Sequence, residues 1–225
     1  RRYLAADSSS SSSSSLPQGL RYAIVLPAGR EFACVLLSVM NRGTAAPLDP
    51  TMTVEELCPI FAQLRISAVI CREGAEGEAA RAAAARMNLP VLHVTAGDAS
   101  RPALPGVAVR SSDAALLQSI SKPADWDIED VERVVLLLRT SGTTSKGKVV
   151  PFGFRRLAFA AQYNASCVGL AEGDVCLSMM PLFHIAGISV NLLPSLVAGS
   201  TVLLLDKPFD APFFLSQLER KAPAP

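Results

Sequence analysis

The chain has 225 residues, half of them hydrophobic and 18% charged, with 21 Lys and Arg against 20 Asp and Glu. That length suits one large domain of roughly 150 residues or more, and the apolar content excludes wholesale disorder. A net charge of +1 gives no broad field to gather nucleic acid or anionic lipid, so neither is an expected partner and any anion must be held by a local site. Five cysteines, widely spaced and never arranged as C-x-x-C, and only two histidines, His93 and His184, argue against a disulfide framework and against a metal site built by the protein. Free buried thiols suit a reducing compartment, so an intracellular, cytoplasmic protein is expected.

The serine tract Ser8–Ser15 has nothing apolar to bury, so residues 1–19 read as a flexible segment and the fold begins near Leu20. The chain begins with Arg1 and ends in Ala-Pro-Ala-Pro, which reads as a fragment. Tyr22 to Pro27 is a short apolar strand, and Arg30 to Arg42, closed by Gly43, is a helix that packs on a sheet. Pro47 and Pro50 bracket a loop; Thr53 and Glu56 have capping-box spacing and open a helix to about Arg65, which Pro59 must bend or delay. Ser67–Cys71 is the next strand, Glu76–Asn88 a helix and Pro90–Thr95 a strand.

Residues 96–130 read as irregular, with one short helix near 113–120. Val134–Leu138, five consecutive apolar residues, suits a central parallel strand. A small-residue loop follows it, then a helix from about Phe154 to Val168, and strand, helix and strand from Val175 to Leu205. That last stretch contains no charged residue, yet Pro181, Gly187, Asn191, Pro194 and Gly199 interrupt it, so buried elements of a sheet protein are expected rather than a transmembrane segment. Asp210 caps a last helix carrying Phe214 and Leu218. Strands alternating with helices predict an α/β fold with a mostly parallel sheet covered by helices on both faces, and ligands bind such sheets beyond the carboxyl ends of the strands.

The loop behind Leu138 therefore draws attention: Arg139-Thr140-Ser141-Gly142-Thr143-Thr144-Ser145-Lys146-Gly147-Lys148. Glycine lets backbone N–H groups approach an anion, the hydroxyls of Thr140, Ser141, Thr143, Thr144 and Ser145 add donors, and Lys146 and Lys148 neutralise charge, the combination a polyphosphate needs. Gly142 to Val149 also approximates the phosphate loop of nucleoside-triphosphate hydrolases, but Val149 stands where the magnesium-binding Ser or Thr is needed, and Val149-Val150-Pro151 reads as strand where a helix should start.

The string L-L-L-R-T-S-G-T-T-S-K-G-K-V-V resembles the signature loop of the adenylate-forming superfamily, to which acyl-CoA synthetases belong. Thr140 to Thr144 match its core and Lys146 and Lys148 its two lysines, with Ser145, Gly147 and Val149 departing from glycine, proline and glycine; Gly147 is expected to loosen the loop. Met180-Pro181-Leu182-Phe183-His184-Ile185-Ala186-Gly187 resembles the family's P-L-F-H-x-x-G segment, and Ala46-Pro47-Leu48-Asp49-Pro50 its P-L-N-P segment. The resemblance implies that residues 20–225 form part of an N-terminal AMP-binding domain, with the small C-terminal domain absent. It implies ATP-dependent activation of a carboxylic acid as an acyl-adenylate, then transfer to the thiol of coenzyme A or a carrier protein. ATP, Mg2+ and coenzyme A are the implied cofactors, Thr140 through Lys148 the implied nucleotide-binding residues, and Lys148 and His184 the implied catalytic pair. The family's aromatic-Gly-x-Thr-Glu segment does not occur in the sequence, so the chain alone is expected to be nearly inactive. A triphosphate hydrolase and a non-catalytic interaction module are the competing readings.

Overall fold

A computed structural model describes residues 19–95, 108–110, 131–140, 147–204 and 210–219. In chain order, β1 (Arg21–Val25), α1 (Arg30–Arg42), β2 (Thr44–Pro47), α2 (Val54–Leu64) and β3 (Ala68–Arg72) are followed by a 3-10 turn (Ala75–Gly77), α3 (Glu78–Arg86) and β4 (Val91–Thr95). β5 (Ala108–Arg110), β6 (Val134–Arg139) and β7 (Val149–Gly153) complete a seven-stranded sheet of order β5-β4-β3-β1-β2-β6-β7. Its five inner strands run parallel, and β5 and β7 are antiparallel edges. The expected α/β fold with a mostly parallel sheet and helices on both faces is the one observed, and β6 lies one strand in from the edge rather than at the centre.

The order of the strands dictates where the helices go. Crossovers between parallel strands are right-handed, so a chain that steps to one side of its last strand and later to the other must put the two connecting helices on opposite faces. The step from β1 to β2 carries α1, whereas the steps from β2 back past β1 to β3 and onward to β4 carry α2 and α3. The packing obeys this. Phe32, Leu36 and Val39 of α1 join Ile24, Ile70 and Leu136 in one core cluster, while Leu57, Phe61 and Leu64 of α2 and Ala80, Ala83 and Ala84 of α3 join Val25, Val69 and Leu137 in the other. Alternate residues of each strand thus feed alternate faces, and all these side chains are buried.

Local signals hold for most elements. The Gly43 N–H donates to the carbonyl of Val39 at 2.7 Å and closes α1. Thr53 and Glu56 form the capping box, and α2 runs unbroken through Pro59, which, like Glu55 four residues before it, is exposed, so the carbonyl left without its helical donor faces water. The helix expected over residues 76–88 starts as the 3-10 turn and becomes α-helical at Glu78. Arg72, at the end of β3, holds that turn by donating to Glu76 at 2.7 Å and reaches across to Glu31 of α1 at 2.7 Å. Thr44–Pro47, to which the sequence assigns no element and which meets the proline-bracketed loop only at Pro47, is the fully buried strand β2, whose Thr44 hydroxyl donates to the Val134 carbonyl at 2.8 Å, tying β2 to β6. The helix expected near 113–120 and the serine tract Ser8–Ser15 lie outside the described residues.

Beyond β7 come α4 (Phe154–Cys167), β8 (Val175–Ser178), a π-helical turn (Gly187–Leu192), α5 (Leu193–Val197), β9 (Thr201–Leu204) and α6 (Ala211–Glu219). The uncharged stretch forms β8 and β9, a separate parallel pair, and the turn and helix between them, with Ile188 and Leu192 buried in the first cluster. Among the described residues no helix is long and apolar enough to cross a membrane. Asp210 caps α6 by accepting from the Phe213 N–H at 3.0 Å. All five cysteines are free, but only Cys71 is buried, and Cys167 is exposed.

Burial pushes the Cys71 thiol up to about 11, against a smaller opposing pull from Arg81. A thiol that holds its proton more tightly when folded contributes stability below its ordinary value of 9.0, and that contribution is lost as pH rises through about 11. Urea unfolding measured from pH 8 to 11 should therefore show stability falling over that window, and Cys71→Ala should flatten part of the fall, burial of the Tyr22 phenol supplying the rest. An unchanged slope in Cys71→Ala would contradict the assignment.

Candidate active site

The loop that follows β6 leaves and returns through a closed neck. The Thr140 N–H donates to the carbonyl of Lys148 at 2.9 Å, and the Lys148 N–H donates back to Thr140 Oγ1 at 3.1 Å, extending the β6–β7 hairpin one step past the Arg139–Val149 pair. One of the hydroxyls expected to meet phosphate thus also serves as an acceptor that closes the neck. Ser141, Gly142, Thr143, Thr144, Ser145 and Lys146 lie outside the described residues.

Gly147 has a role opposite to the expected one. A Cβ there would stand 2.5 Å from the Thr140 carbonyl oxygen, so only glycine lets the returning strand pass this close; the residue tightens the neck where loosening was expected. Gly147 is buried, and its carbonyl accepts from Gln63 Nε2 of α2 at 2.9 Å. Gln63 had no local signal in the sequence, because it lies on a helix of the opposite core face, 84 residues from its partner.

The neck opens onto a cleft of about 490 Å³ at the carboxyl ends of β2 and β6. Leu138, Arg139 and Thr140 form its floor, Pro47, Leu48, Asp49 and Met52 one wall, and Val150 and Phe152 of β7 with Phe183, His184 and Ile185 the other. Thr140 and His184, 44 positions apart in the sequence, therefore share one cavity. Gly147 and Lys148 stand at the neck, bonded to Thr140 but outside that lining, and the Lys148 residue is exposed. Asp49 is engaged by its own turn, accepting from the Thr51 N–H at 2.9 Å and its hydroxyl at 2.7 Å.

A tight turn presents His184. Its N–H donates to the Pro181 carbonyl at 3.1 Å, and its ring lies against that of Phe183 with centroids 4.7 Å apart. Gly187 closes the turn, since a Cβ there would run into the carbonyl of Pro181 and lie 2.8 Å from that of Met180. This gives the glycine of the P-L-F-H-x-x-G segment its physical reason. Downstream of the neck, α4 has no side-chain cap at Gly153; its first N–H groups donate instead to the carbonyls of Arg133 and Val131, each at 3.0 Å, so the helix is anchored to the entrance of β6. A strand, β7, separates the loop from that helix, and the hydrolase reading, which needs a helix directly behind the loop, does not fit this arrangement.

Among the described residues no three His, Cys, Asp or Glu side chains are placed to hold a metal ion. The chemistry available is that of an apolar cleft with a hydroxyl, an imidazole and a guanidinium at its edges, joined to a lysine-bearing loop.

This architecture, a mostly parallel α/β sheet with the hydroxyl-rich loop behind an inner strand, is that of the N-terminal domain of adenylate-forming enzymes. The chain belongs to the AMP-binding enzyme family, which it matches over residues 14–224. It is 36% identical over 187 residues to the probable CoA ligase CCL9 of Humulus lupulus and 32% identical over 185 residues to the oxalate–CoA ligase of Arabidopsis thaliana, in each case over 81% of this chain. The chain spans about a third of these relatives, 34% of each. Its fold superposes on ATP-bound MatB of Rhodopseudomonas palustris with a TM-score of 0.69 over 92% of this chain and 39% of that one, at 21% identity. On the o-succinylbenzoate coenzyme A synthetase of Bacillus subtilis, in complex with ATP and magnesium, the TM-score is 0.64 over 90% of this chain and 48% of that one, at 21% identity.

Gly187→Ala should displace the His184 turn while leaving the main sheet intact. Thermal unfolding should fall by several degrees, for a loss of about 1–3 kcal/mol, and the His184 imidazole resonances should move in NMR spectra; unmoved resonances would show that the turn tolerates the methyl group.

Proposed function

We propose that the chain carries the pyrophosphate-binding loop and part of the acid cleft of an ATP-dependent, AMP-forming acid–thiol ligase. One observation carries the reading: the Thr140–Lys148 neck fixes the ends of a hydroxyl- and lysine-rich loop at the rim of a cleft that also contains His184. The relatives that are CoA ligases support coenzyme A as the thiol, with a carrier-protein thiol as the other acceptor open to the same chemistry.

In the proposed reaction a carboxylate oxygen of the acid attacks the α-phosphorus of ATP, the bond from that phosphorus to its bridging oxygen breaks, and pyrophosphate leaves with the electron pair. The thiol, giving up its proton, then attacks the acyl carbon and AMP departs. No protein nucleophile is required, so the protein's contribution is positioning and charge neutralisation. Lys146, Lys148, Thr140 and the donors of 141–145 neutralise and orient the phosphates, with Mg2+ entering as the complex of its ATP substrate. His184, at the cleft wall beside Phe183, borders the acid and the path of the thiol. The apolar walls, with Leu48 and Met52 on one and Phe152 and Ile185 on the other, suit an organic acid's carbon skeleton. ATP and coenzyme A as substrates suit a site of action inside the cell.

The loop assignment is tested by acid-dependent exchange of labelled pyrophosphate into ATP in the full-length gene product. Lys148→Ala should lower the rate at least about tenfold, since a charge-assisted contact to phosphate contributes about 1.5–3 kcal/mol; an unchanged rate would remove the loop from the chemistry. This chain by itself should bind ATP weakly and form little acyl-adenylate, and rapid acyl-adenylate formation by it would contradict that part of the proposal.

A further inference from the structure

One cation at the site has no role in the reading above. Five arginines among the described residues are buried or half-buried: Arg21, Arg72, Arg81, Arg133 and Arg139. Four of them have visible acceptors. Arg21 donates to the Leu64 carbonyl, Arg72 to Glu31 and Glu76, Arg81 to the carbonyls of Arg72 and Gly74, and Arg133 to the carbonyl of Met40. Arg139 has no such acceptor among the described residues: its Nε, like that of Arg21, is buried without a hydrogen-bond partner, and no carboxylate among the described residues pairs with its guanidinium. A buried N–H of a permanent cation without an acceptor is costly, and the described residues offer no acceptor for it.

Its placement says what could fill that need. Arg139 is the last residue of β6 and pairs with Val149, so it stands at the root of the loop. Its Nη2 and Cζ lie 3.3 and 3.6 Å from where a Cβ of residue 147 would be, which puts the guanidinium directly against the neck. It also contributes to the cleft floor next to Thr140. Asp49, the one acidic residue of the lining, is taken up by Thr51. A planar fork of donors is suited to two oxygens of one phosphate, which the single ammonium groups of Lys146 and Lys148 are not.

We propose that Arg139 is a third cation of the polyphosphate site, its guanidinium donating to oxygens of the terminal phosphates of ATP and of the pyrophosphate that leaves. This rests on the reading of the loop as a phosphate site. Neither the sequence comparison with the loop signature nor the lysine pair points to this residue, because it sits before the hydroxyl-rich core.

The test is an NMR titration of this chain with inorganic pyrophosphate, following binding in wild type, Arg139→Gln, Arg139→Lys and Lys148→Ala, with propionate as a carboxylate control and circular dichroism as a check on folding. Arg139→Gln should weaken pyrophosphate binding at least about tenfold, and Arg139→Lys, which keeps the charge and loses the fork, by a smaller factor. Propionate binding should not change. In wild type the Arg139 Nε–H resonance should shift with pyrophosphate and stay in place with propionate, a readout that holds even if Arg139→Gln does not fold. Wild-type pyrophosphate affinity in Arg139→Gln, alongside weakened binding in Lys148→Ala, would overturn this inference and leave the loop reading intact. An Nε–H resonance that follows propionate instead would overturn it in favour of an acid-binding role. Wild type that fails to bind pyrophosphate at all would overturn both.

Discussion

The short closure between the end of β6 and the start of β7 is the constraint on which the rest of the site depends. Two backbone N–H groups, from Thr140 and Lys148, bond across the neck, and the absence of a side chain at Gly147 lets the returning chain pass against the Thr140 carbonyl. Such a closure holds the two ends of a loop, so less conformational freedom is lost on binding than for an unanchored loop. Gln63 adds a third tie from α2 to the Gly147 carbonyl, so the neck is joined to the core cluster on the far face of the sheet.

The sheet explains why the neck and the histidine share one cleft. Right-handed crossovers place α1 on one face and α2 and α3 on the other, which leaves the carboxyl ends of β2 and β6 open between them. Thr44 ties β2 to β6 at their amino ends, and the Pro47–Met52 segment then turns away to start α2, forming one wall. The opposite wall comes from the chain after α4, where the turn at Pro181–Gly187 packs on itself around a glycine and holds Phe183 and His184 toward the opening. Both walls are mostly apolar, with the polar groups of Arg139, Thr140 and His184 set among them.

Much of this was legible in the sequence because the signals are local. The Thr53–Glu56 capping box, Gly43 behind α1, the apolar run of β6 and Asp210 before α6 each specify their element within a few residues, and all four appear where expected. The loop was found by composition, since hydroxyls, glycines and two lysines behind a buried strand have one obvious use. What escaped depends on contacts far apart in the chain. β2 reads Thr-Ala-Ala-Pro, with little intrinsic preference for a strand, and is a strand only because β1 and β6 flank it. Gln63 carries no motif and Arg139 only precedes the hydroxyl-rich core of one, and their relation to the neck exists only once α2 and β6 are packed. The misreading of Gly147 has the same origin, because a glycine's flexibility is a property of the residue, whereas its need for close approach is a property of its neighbours.

The central claim, that the neck between Thr140 and Lys148 presents a phosphate-binding loop, is tested most directly by a crystal structure of this chain with a non-hydrolysable ATP analogue and magnesium. The account predicts the terminal phosphates seated in the loop, within hydrogen-bond distance of its backbone N–H groups and of Lys148, while the Thr140–Lys148 pairing stays closed. A triphosphate bound elsewhere on the chain, with the loop's N–H groups turned inward onto protein acceptors, would contradict it.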